Sequence, residues 1–168
     1  MTINDIIEAT IDREGGYQLV DIIGDRGKQT YAGISRRWHP GWKGWGYIDR
    51  GGEPPRKMVF DFYKREFWDD IRGDELHSPS IAAAVFDFAV MAGADDARRA
   101  AQKACMVEVD GRFGPVSMRA LDIITPALFL PRFAIARIEH HLADVKTNPS
   151  QMKFLRGWIN RAVEGILD

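Results

Sequence analysis

The stretch that decides the fold is residues 12–35, DREGGYQLVDIIGDRGKQTYAGIS, in which glycines, aspartates and a threonine directly follow a helical pattern. Connections between secondary-structure elements are usually shorter, and long ones are often functional. The preceding residues 2–14 carry apolar side chains at helical spacing, and Thr2 and Asp5 give a capping-box start. We therefore expect a first helix that ends in glycine turns.

Glu14 is the last residue of this helical pattern. It follows Ile7 by seven positions and Ile11 by three, which places it on the apolar face. Gly15 and Gly16 come next, and glycine ends helices because it adopts the left-handed conformation without a Cβ clash. Burial and the negative end of the helix dipole both favour a carboxyl group that holds its proton, as a general acid requires. The alternative is an exposed glutamate paired with a neighbouring cation.

The glycine-rich residues 17–35 alternate short apolar pieces with turns, which predicts a small hairpin or irregular β lobe. A hairpin of this kind folds Asp21, Asp25 and Thr30 back against Glu14. Glycosidic bond cleavage needs an acid on one side of the sugar and, on the other, a group that activates water or stabilises the cation. Glu14, Asp25 and Thr30 are therefore the candidate catalytic residues. For Asp25, a turn-forming role in GDRG is the alternative.

An aromatic segment follows at residues 36–53, RRWHPGWKGWGYIDRGGE, and is predicted to be a long loop that is either functional or a packed flap. Sugar-binding clefts often pair aromatic rings with carboxylates. About half of the aromatic residues in this third of the chain are nevertheless expected to be core, because Trp and Tyr bury large areas in any small lobe. The candidate substrate-binding residues are Gly15, Gly16, Tyr17, Tyr31, Trp42 and Trp45.

From Pro54 onward the pattern is helical. The segment after a Ser78 cap is apolar on every face except at Asp87, so it belongs in the middle of the domain, with Asp87 paired to an arginine or a helix N-terminus. The predicted helices cover residues 54–71, 79–93, 95–105, a stretch from 115, 130–146 and 150–166. The predicted fold class is mainly α, of the α+β type, in a single domain over residues 1–168.

Composition argues against several function classes. The formal net charge is −1 and no basic block is present, so nucleic acid is not an expected partner. Cys105 is the only cysteine, which excludes an internal disulfide and a CxxC metal site. The histidines form no HExxH pattern, and His140 and His141 are expected to point to different faces of a helix. No metal site and no cofactor are predicted.

The N-terminal residues 1–16 lack a basic region followed by an apolar run, and no apolar stretch approaches the ~18 residues of a membrane span. The sequence therefore predicts synthesis in the cytoplasm without a signal peptide and no insertion into a membrane. The expected state is a monomer.

Several blocks of the sequence resemble one known family. The first are EGGY, Glu14 to Tyr17, and DRGKQTYAGIS, Asp25 to Ser35. Later blocks follow in order over nearly the full chain: YKREFWDDIRGDEL, AVFDFAVMAG, VDGRFGP and GWINRA. Together they resemble glycoside hydrolase family 108, the phage and prophage N-acetylmuramidases of the lysozyme-like superfamily. In this resemblance residues 1–93 correspond to the catalytic part, and residues 94–168 to a helical peptidoglycan-binding region.

The resemblance implies a lysozyme-like fold, with a central buried helix surrounded by helices and a small hairpin lobe after the first helix. It implies cleavage of the β-1,4 bond between N-acetylmuramic acid and N-acetylglucosamine in peptidoglycan, with Glu14 as the acid. By position, Asp25 and Thr30 match the aspartate and threonine that the superfamily places in its hairpin. The implied partner is the peptidoglycan glycan strand, reached in the cell wall or periplasm after release of an endolysin by a holin.

Two alternatives stay open beside this interpretation: a lytic transglycosylase and a peptidoglycan-binding module without catalysis. The sequence also departs from the family pattern at two positions. Lys28 stands where the family usually has glycine, and Met91 where it usually has asparagine. Neither departure touches Glu14.

Overall fold

The structure, a computed structural model, describes residues 1–20 and 29–167 of the chain. The predicted positions of Asp21, Asp25 and Lys28 lie outside the described residues. Contacts divide the chain into two units, Met1–Glu66 and Phe67–Asp168. Each unit is therefore described by itself.

The first unit begins with helix α1, Ile3–Arg13. The Thr2 hydroxyl accepts a hydrogen bond from the backbone N–H of Asp5 (3.3 Å), and the Asp5 carboxylate accepts one from the backbone N–H of Thr2 (2.6 Å). These reciprocal bonds satisfy two backbone donors that a helix start otherwise leaves unpaired. The predicted first helix and its capping box are both confirmed.

A small antiparallel sheet follows α1. In the described residues its strands are β1 (Leu19–Val20), β2 (Thr30–Tyr31) and β3 (Ile34–Ser35), in the order β1-β2-β3. The predicted β lobe after the first helix is confirmed.

The aromatic segment 36–53 is a packed flap and not an open loop. It contains a short helix, α2 (Trp45–Ile48), which the sequence did not predict. The guanidinium of Arg36 donates two hydrogen bonds to the Asp49 carboxylate (2.7 and 2.8 Å), which joins the two ends of the segment. The Trp45 indole N–H donates to the backbone carbonyl of His39 (2.8 Å). These bonds fix the backbone of the segment from both sides of α2.

Helix α3, Arg56–Tyr63, completes the first unit and continues into a π-helical segment, Lys64–Trp68. Its side chains Phe62 and Tyr63 are buried. The ring of Phe62 contacts Trp42 edge-on at a centroid distance of 6.2 Å. Aromatic side chains from α3 and from the flap therefore share one core.

All the regular secondary-structure elements described in the second unit are helices. Helix α4 packs against α5 and α7, and α7 packs also against α8. Half of the apolar side chains of α4, including both phenylalanines, are buried, in agreement with the central position that the sequence predicts for this segment. The helices are α4 (Pro79–Ala92), α5 (Ala94–Cys105), α6 (Pro115–Ile123), α7 (Pro126–Thr147) and α8 (Met152–Leu167), with 3-10 turns at Gly73–Glu75 and Pro149–Gln151.

Asp87 is the buried charge of α4, and it pairs with two arginines, as predicted. Arg137 of α7 donates to its carboxylate at 3.0 Å, and Arg161 of α8 does so at 2.7 Å. A buried carboxylate needs such partners because desolvation of a lone charge is costly. The cluster therefore ties three helices together and has a structural role.

Helix α7 begins earlier than the sequence predicts. Its first residue is Pro126, whose missing N–H costs nothing at the first helical position, while Pro131 lies inside the helix. Pro131 favoured a start near residue 130, and packing of the long helix overrides that preference. No helix among the described residues is both long and apolar enough to span a bilayer.

Candidate active site

The end of α1 places Glu14 at its C-cap through a paired glycine turn. The N–H of Gly16 donates to the carbonyl of Ile11 (2.9 Å). The N–H of Gly15 donates to the carbonyl of Asp12 (3.2 Å). Both glycines have positive φ, 103° and 68°, so the two bonds form a Schellman motif, the commonest way to end a helix on glycine. The predicted glycine stop is confirmed, and it holds the Glu14 backbone in one place.

Among the described residues, none crowds the side-chain positions of these glycines. A Cβ built on Gly15 or on Gly16 would meet no atom of residues 1–20 or 29–167 within 4 Å. Glycine is therefore required here for its backbone conformation and not for packing. Substrate contact by the two glycines stays a prediction.

The turn between β2 and β3 lies directly against Glu14. Ala32 and Gly33 form this turn, with φ of 47° and 75°, the sign that a two-residue hairpin turn requires. A Cβ built on Gly33 would lie 3.0 Å from Cβ of Glu14 and would clash with the hydroxyl of Tyr63. That hydroxyl donates to the carbonyl of Ala32 (2.9 Å). The hairpin is thus brought to Glu14 by a close backbone approach that only glycine allows.

Tyr17 holds in place the chain segment that directly follows the glycine turn. Its hydroxyl donates to the Glu8 carboxylate of α1 (2.7 Å), and the Arg56 guanidinium lies 4.5 Å from its ring centroid. Burial, and then the hydrogen bond to Glu8, raise the pKa of Tyr17, so its phenol is a donor at neutral pH. Tyr17 therefore positions the loop behind Glu14, and a direct contact with substrate stays a prediction.

Thr30 lies on the face of the sheet opposite the core. Its Cα partners are Val20 of β1 and Ser35 of β3, while the neighbouring pair Tyr31 and Ile34 is buried. Side chains alternate between the two faces of a strand, so Thr30 and Ser35 share one partly exposed face. Sequence reasoning did not select Ser35, which the two-residue turn at Ala32 and Gly33 pairs with Thr30 across the hairpin.

Three of the predicted substrate-binding aromatic residues are core residues. Tyr31, Trp42 and Trp45 are only 3%, 8% and 3% exposed. Trp42 and Trp45 pack edge to face at a centroid distance of 5.2 Å, and the Trp42 ring fills the space that a Cβ of Gly44 would need. Stacking on a sugar requires an exposed ring face, so these rings do not form the predicted platform. Their hydrophobic area stabilises the flap instead.

Trp38 is the most exposed aromatic residue of the described flap, with 73% of its surface accessible, against 37% for Tyr47. It lines a groove of about 250 Å³ together with His39 and Phe62. The Arg37 guanidinium lies 5.3 Å from the Trp38 ring centroid. Sequence reasoning counted Trp38 among the aromatic residues but did not select it, because exposure within a packed flap leaves no pattern in a single sequence.

The described residues thus bring Glu14 together with the Gly33 turn and Tyr63, and they place Thr30 two residues before that turn. The position of Asp25 opposite Glu14 stays a prediction, since Asp25 lies outside the described residues. Met91, the second departure from the family pattern, is half-buried on α4.

A second polar cluster lies in the other unit, and it corrects one expectation. His140 and His141 of α7 were expected to diverge, but their ring centroids are 5.4 Å apart. Both rings pack edge-on against Phe88, at 5.4 and 5.7 Å. Adjacent helical residues point only ~100° apart, so two long side chains can lean together when a neighbour packs against both. Helical periodicity alone therefore gave the wrong orientation.

Comparisons with known proteins agree with the fold. The family model described as Glycosyl hydrolase 108 matches residues 7–93, and the model described as Predicted Peptidoglycan domain matches residues 97–163. Among solved structures, the chain is similar to the structure of Brucella abortus SagA, with 23% sequence identity and a TM-score of 0.73. That alignment covers 98% of this chain and 91% of SagA. No curated protein gives a significant match.

The helix, glycine turn and sheet around Glu14 therefore lie in the part of the chain that matches a glycoside hydrolase. The chain belongs to the glycosyl hydrolase 108 family, as its sequence blocks predicted. The predicted fold class, mainly helical and lysozyme-like with a small β lobe, is confirmed as well. The peptidoglycan domain supports peptidoglycan as the substrate. The division into parts 1–93 and 94–168 stays a prediction.

Proposed function

We propose that this protein is an N-acetylmuramidase that hydrolyses the β-1,4 bond between N-acetylmuramic acid and N-acetylglucosamine, with Glu14 as the general acid. Membership of a glycoside hydrolase family and the peptidoglycan domain support the substrate class. The observation that carries the choice of Glu14 is its place at the C-cap of α1, between an open glycine turn and the close approach of Gly33.

The arrangement suits proton transfer to a bound sugar. The Schellman turn holds the Glu14 backbone, and the Gly33 turn limits where its side chain can lie, so the carboxyl group is positioned before substrate binds. Preorganised groups spend less free energy on ordering during the reaction. The open side of Gly15 and Gly16 is where we place the substrate.

In the proposed reaction the Glu14 carboxyl group donates its proton to the glycosidic oxygen as the bond from that oxygen to C1 breaks. The sugar ring then carries positive charge, and a water molecule adds to C1 and loses a proton to a carboxylate. Thr30, on the exposed face of the sheet, is proposed to orient this water, and Asp25 to stabilise the cation or to accept the proton. Ser35 is the hydroxyl that shares the face with Thr30.

The test compares Glu14→Gln with Asp12→Asn in a turbidity assay on purified sacculi. Asp12 is exposed and lies two residues away in the same helical turn, so its variant is a matched control for loss of one negative charge. We expect Glu14→Gln to lose at least ~100-fold in rate, the usual scale of general acid catalysis, while Asp12→Asn keeps wild-type activity. Equal activity of wild type and Glu14→Gln would remove Glu14 from the mechanism.

The products decide the reaction type and the bond. Mass spectrometry after borohydride reduction should show N-acetylmuramic acid at the new reducing ends. Products with 1,6-anhydro ends would mean that an intramolecular hydroxyl attacks in place of water, which defines a lytic transglycosylase. Retention on sacculi without soluble fragments would instead define a binding module.

We further propose that the protein acts as an endolysin, made in the cytoplasm and released to the cell wall by a holin. This rests on the family resemblance. Induction of the gene in a bacterial host should lyse cells rapidly only when a holin is induced with it. Rapid lysis by the protein alone would contradict dependence on a holin.

A further inference from the structure

The second unit contains a buried imidazole whose ring nitrogens are unsatisfied. His141 is 3% exposed, and neither Nδ1 nor Nε2 finds a hydrogen-bond partner among the described residues. Its ring stacks on Trp158 of α8 at a centroid distance of 4.6 Å. A buried polar atom without a partner is energetically costly and uncommon, so a bound ligand would stabilise this ring.

Two further ligand groups stand beside His141 on the same helix. The distance from His140 Nε2 to Asp144 Oδ2 is 3.2 Å, and from His141 Nδ1 to the same oxygen it is 3.9 Å. One ligand atom from each of the three residues can be chosen so that all lie within 4.8 Å of one another. A tetrahedral zinc ion with bonds of ~2.0–2.1 Å sets its ligand atoms ~3.3 Å apart. The first pair already has this spacing, and the second reaches it by a small side-chain movement.

Helix α5 contributes a supporting carboxylate. Asp96 Oδ1 lies 3.8 Å from His140 Nδ1, the ring nitrogen on the side away from Asp144. Histidines that bind a metal through one nitrogen usually donate the other N–H to a carboxylate or a carbonyl, which fixes the ring. A small side-chain rotation would bring Asp96 Oδ1 from 3.8 Å to hydrogen-bond distance of His140 Nδ1, so Asp96 is positioned to act as the outer carboxylate.

We propose that His140, His141 and Asp144 bind one divalent transition-metal ion of the zinc class, with Asp96 orienting His140. Imidazole ligands favour zinc, nickel or copper over magnesium or calcium, which prefer oxygen. Water would complete the coordination. The ion would satisfy Nδ1 of the buried His141 ring and tie His140 and His141 to Asp144 within α7, so its role is structural.

The experiment titrates the tag-free, chelator-treated full chain with zinc chloride in a calorimeter and, in parallel, follows its thermal unfolding. Asp144→Asn is the main variant because Asp144 is partly exposed and its loss should leave the fold intact. His77→Ala is the matched control, since His77 forms another histidine–aspartate pair, with Asp122, on the surface of the same unit. Circular dichroism checks that each variant is folded.

We expect one zinc ion per chain and a higher unfolding temperature with zinc for the wild type and for His77→Ala. Asp144→Asn should bind at least ~10-fold more weakly and lose the rise in temperature, and Asp96→Asn should bind ~10-fold more weakly, the scale of lost outer-shell support. No saturable binding, unchanged affinity in folded Asp144→Asn, or magnesium binding as tight as zinc would overturn the proposal.

Discussion

Glu14 and His141 are two polar residues that the structure holds in place by different means. Glu14 sits at a helix end, where backbone hydrogen bonds of two glycines fix its place. His141 sits inside a long helix, where the rings of Phe88 and Trp158 fix it. The first arrangement depends on local chain conformation and the second on packing between helices. Substitutions near Glu14 should therefore destabilise the protein when they force an unfavourable φ angle. Substitutions near His141 should do so when they change the burial or the charge of the ring.

Among substitutions outside the aromatic core of the flap, the largest loss of stability is expected for Gly33→Ala. The new Cβ would clash with the Tyr63 hydroxyl and press on Glu14, at a φ of 75° that alanine rarely adopts. The free energy of unfolding, measured by urea denaturation, should fall by ~2–4 kcal/mol, the sum of a left-handed conformation and overpacking.

The double variant Gly33→Ala with Tyr63→Phe separates the two causes. Removing the hydroxyl relieves the clash, so the double variant should lose less than the sum of the two single losses. Wild-type stability of Gly33→Ala would show that the turn does not approach Glu14 as described.

The next largest effect is a loss of stability at acidic pH that arises from His141. The pKa of His141 falls from 6.5 to about 4 on folding, so below pH 6.5 the unfolded chain takes up a proton that the folded chain refuses. In the presence of a chelator, stability should decrease as the pH falls from 6.5 and level off below about 4, by ~2–3 kcal/mol in total. His141→Leu removes the titrating group, and its denaturation curves should depend less on pH over this range. Equal pH dependence in both proteins would exclude His141 as the cause.

Gly16→Ala should have a smaller effect. The added methyl group meets open space, so the cost is only that of a left-handed alanine at a φ of 68°, ~1 kcal/mol. The same experiment on Gly114, where an added Cβ also meets no described atom within 4 Å and whose φ of −77° alanine adopts without strain, serves as the control. A Gly16→Ala chain as stable as the wild type would mean that the Schellman turn is not what holds the end of α1.

The smallest effect on stability is expected for Trp38→Ala, because the ring is 73% exposed. Its free energy of unfolding should change by less than ~0.5 kcal/mol, whereas Trp45→Ala, in the core of the flap, should lose ~3–5 kcal/mol. If Trp38 stacks on the glycan, its variant should also bind sacculi several-fold more weakly in a pull-down. Unchanged binding would leave the groove without a role in substrate recognition.

The contrast between the two regions also explains what the sequence could predict. The capping box at Thr2, the glycine stop after Glu14 and the helix after Ser78 are local signals, and each appears in the structure as predicted. Helix α2 within the flap was missed because glycine and tryptophan side chains give no helical pattern there, and contacts such as Trp45 to His39 form it.

The predicted site residues divide in the same way. Glu14 was selected because its helix end is encoded locally, and Thr30 and Asp25 were selected from the glycine-rich run that follows it, where the family blocks also match them by position. The burial of Trp42 and Trp45 and the meeting of His140 with His141 depend on partners distant in sequence, such as Phe62 for Trp42. A single sequence records the residue types but not those contacts.

The role of Glu14 is tested most directly by a crystal structure of the Glu14→Gln variant bound to a peptidoglycan fragment that spans the scissile bond. We expect the side chain at position 14 to lie within ~2.6–3.2 Å of the glycosidic oxygen, the reach of a proton donor, with the sugar beside the Gly15–Gly16 turn. A fragment bound with its glycosidic oxygen beyond the reach of that side chain would rule out Glu14 as the general acid.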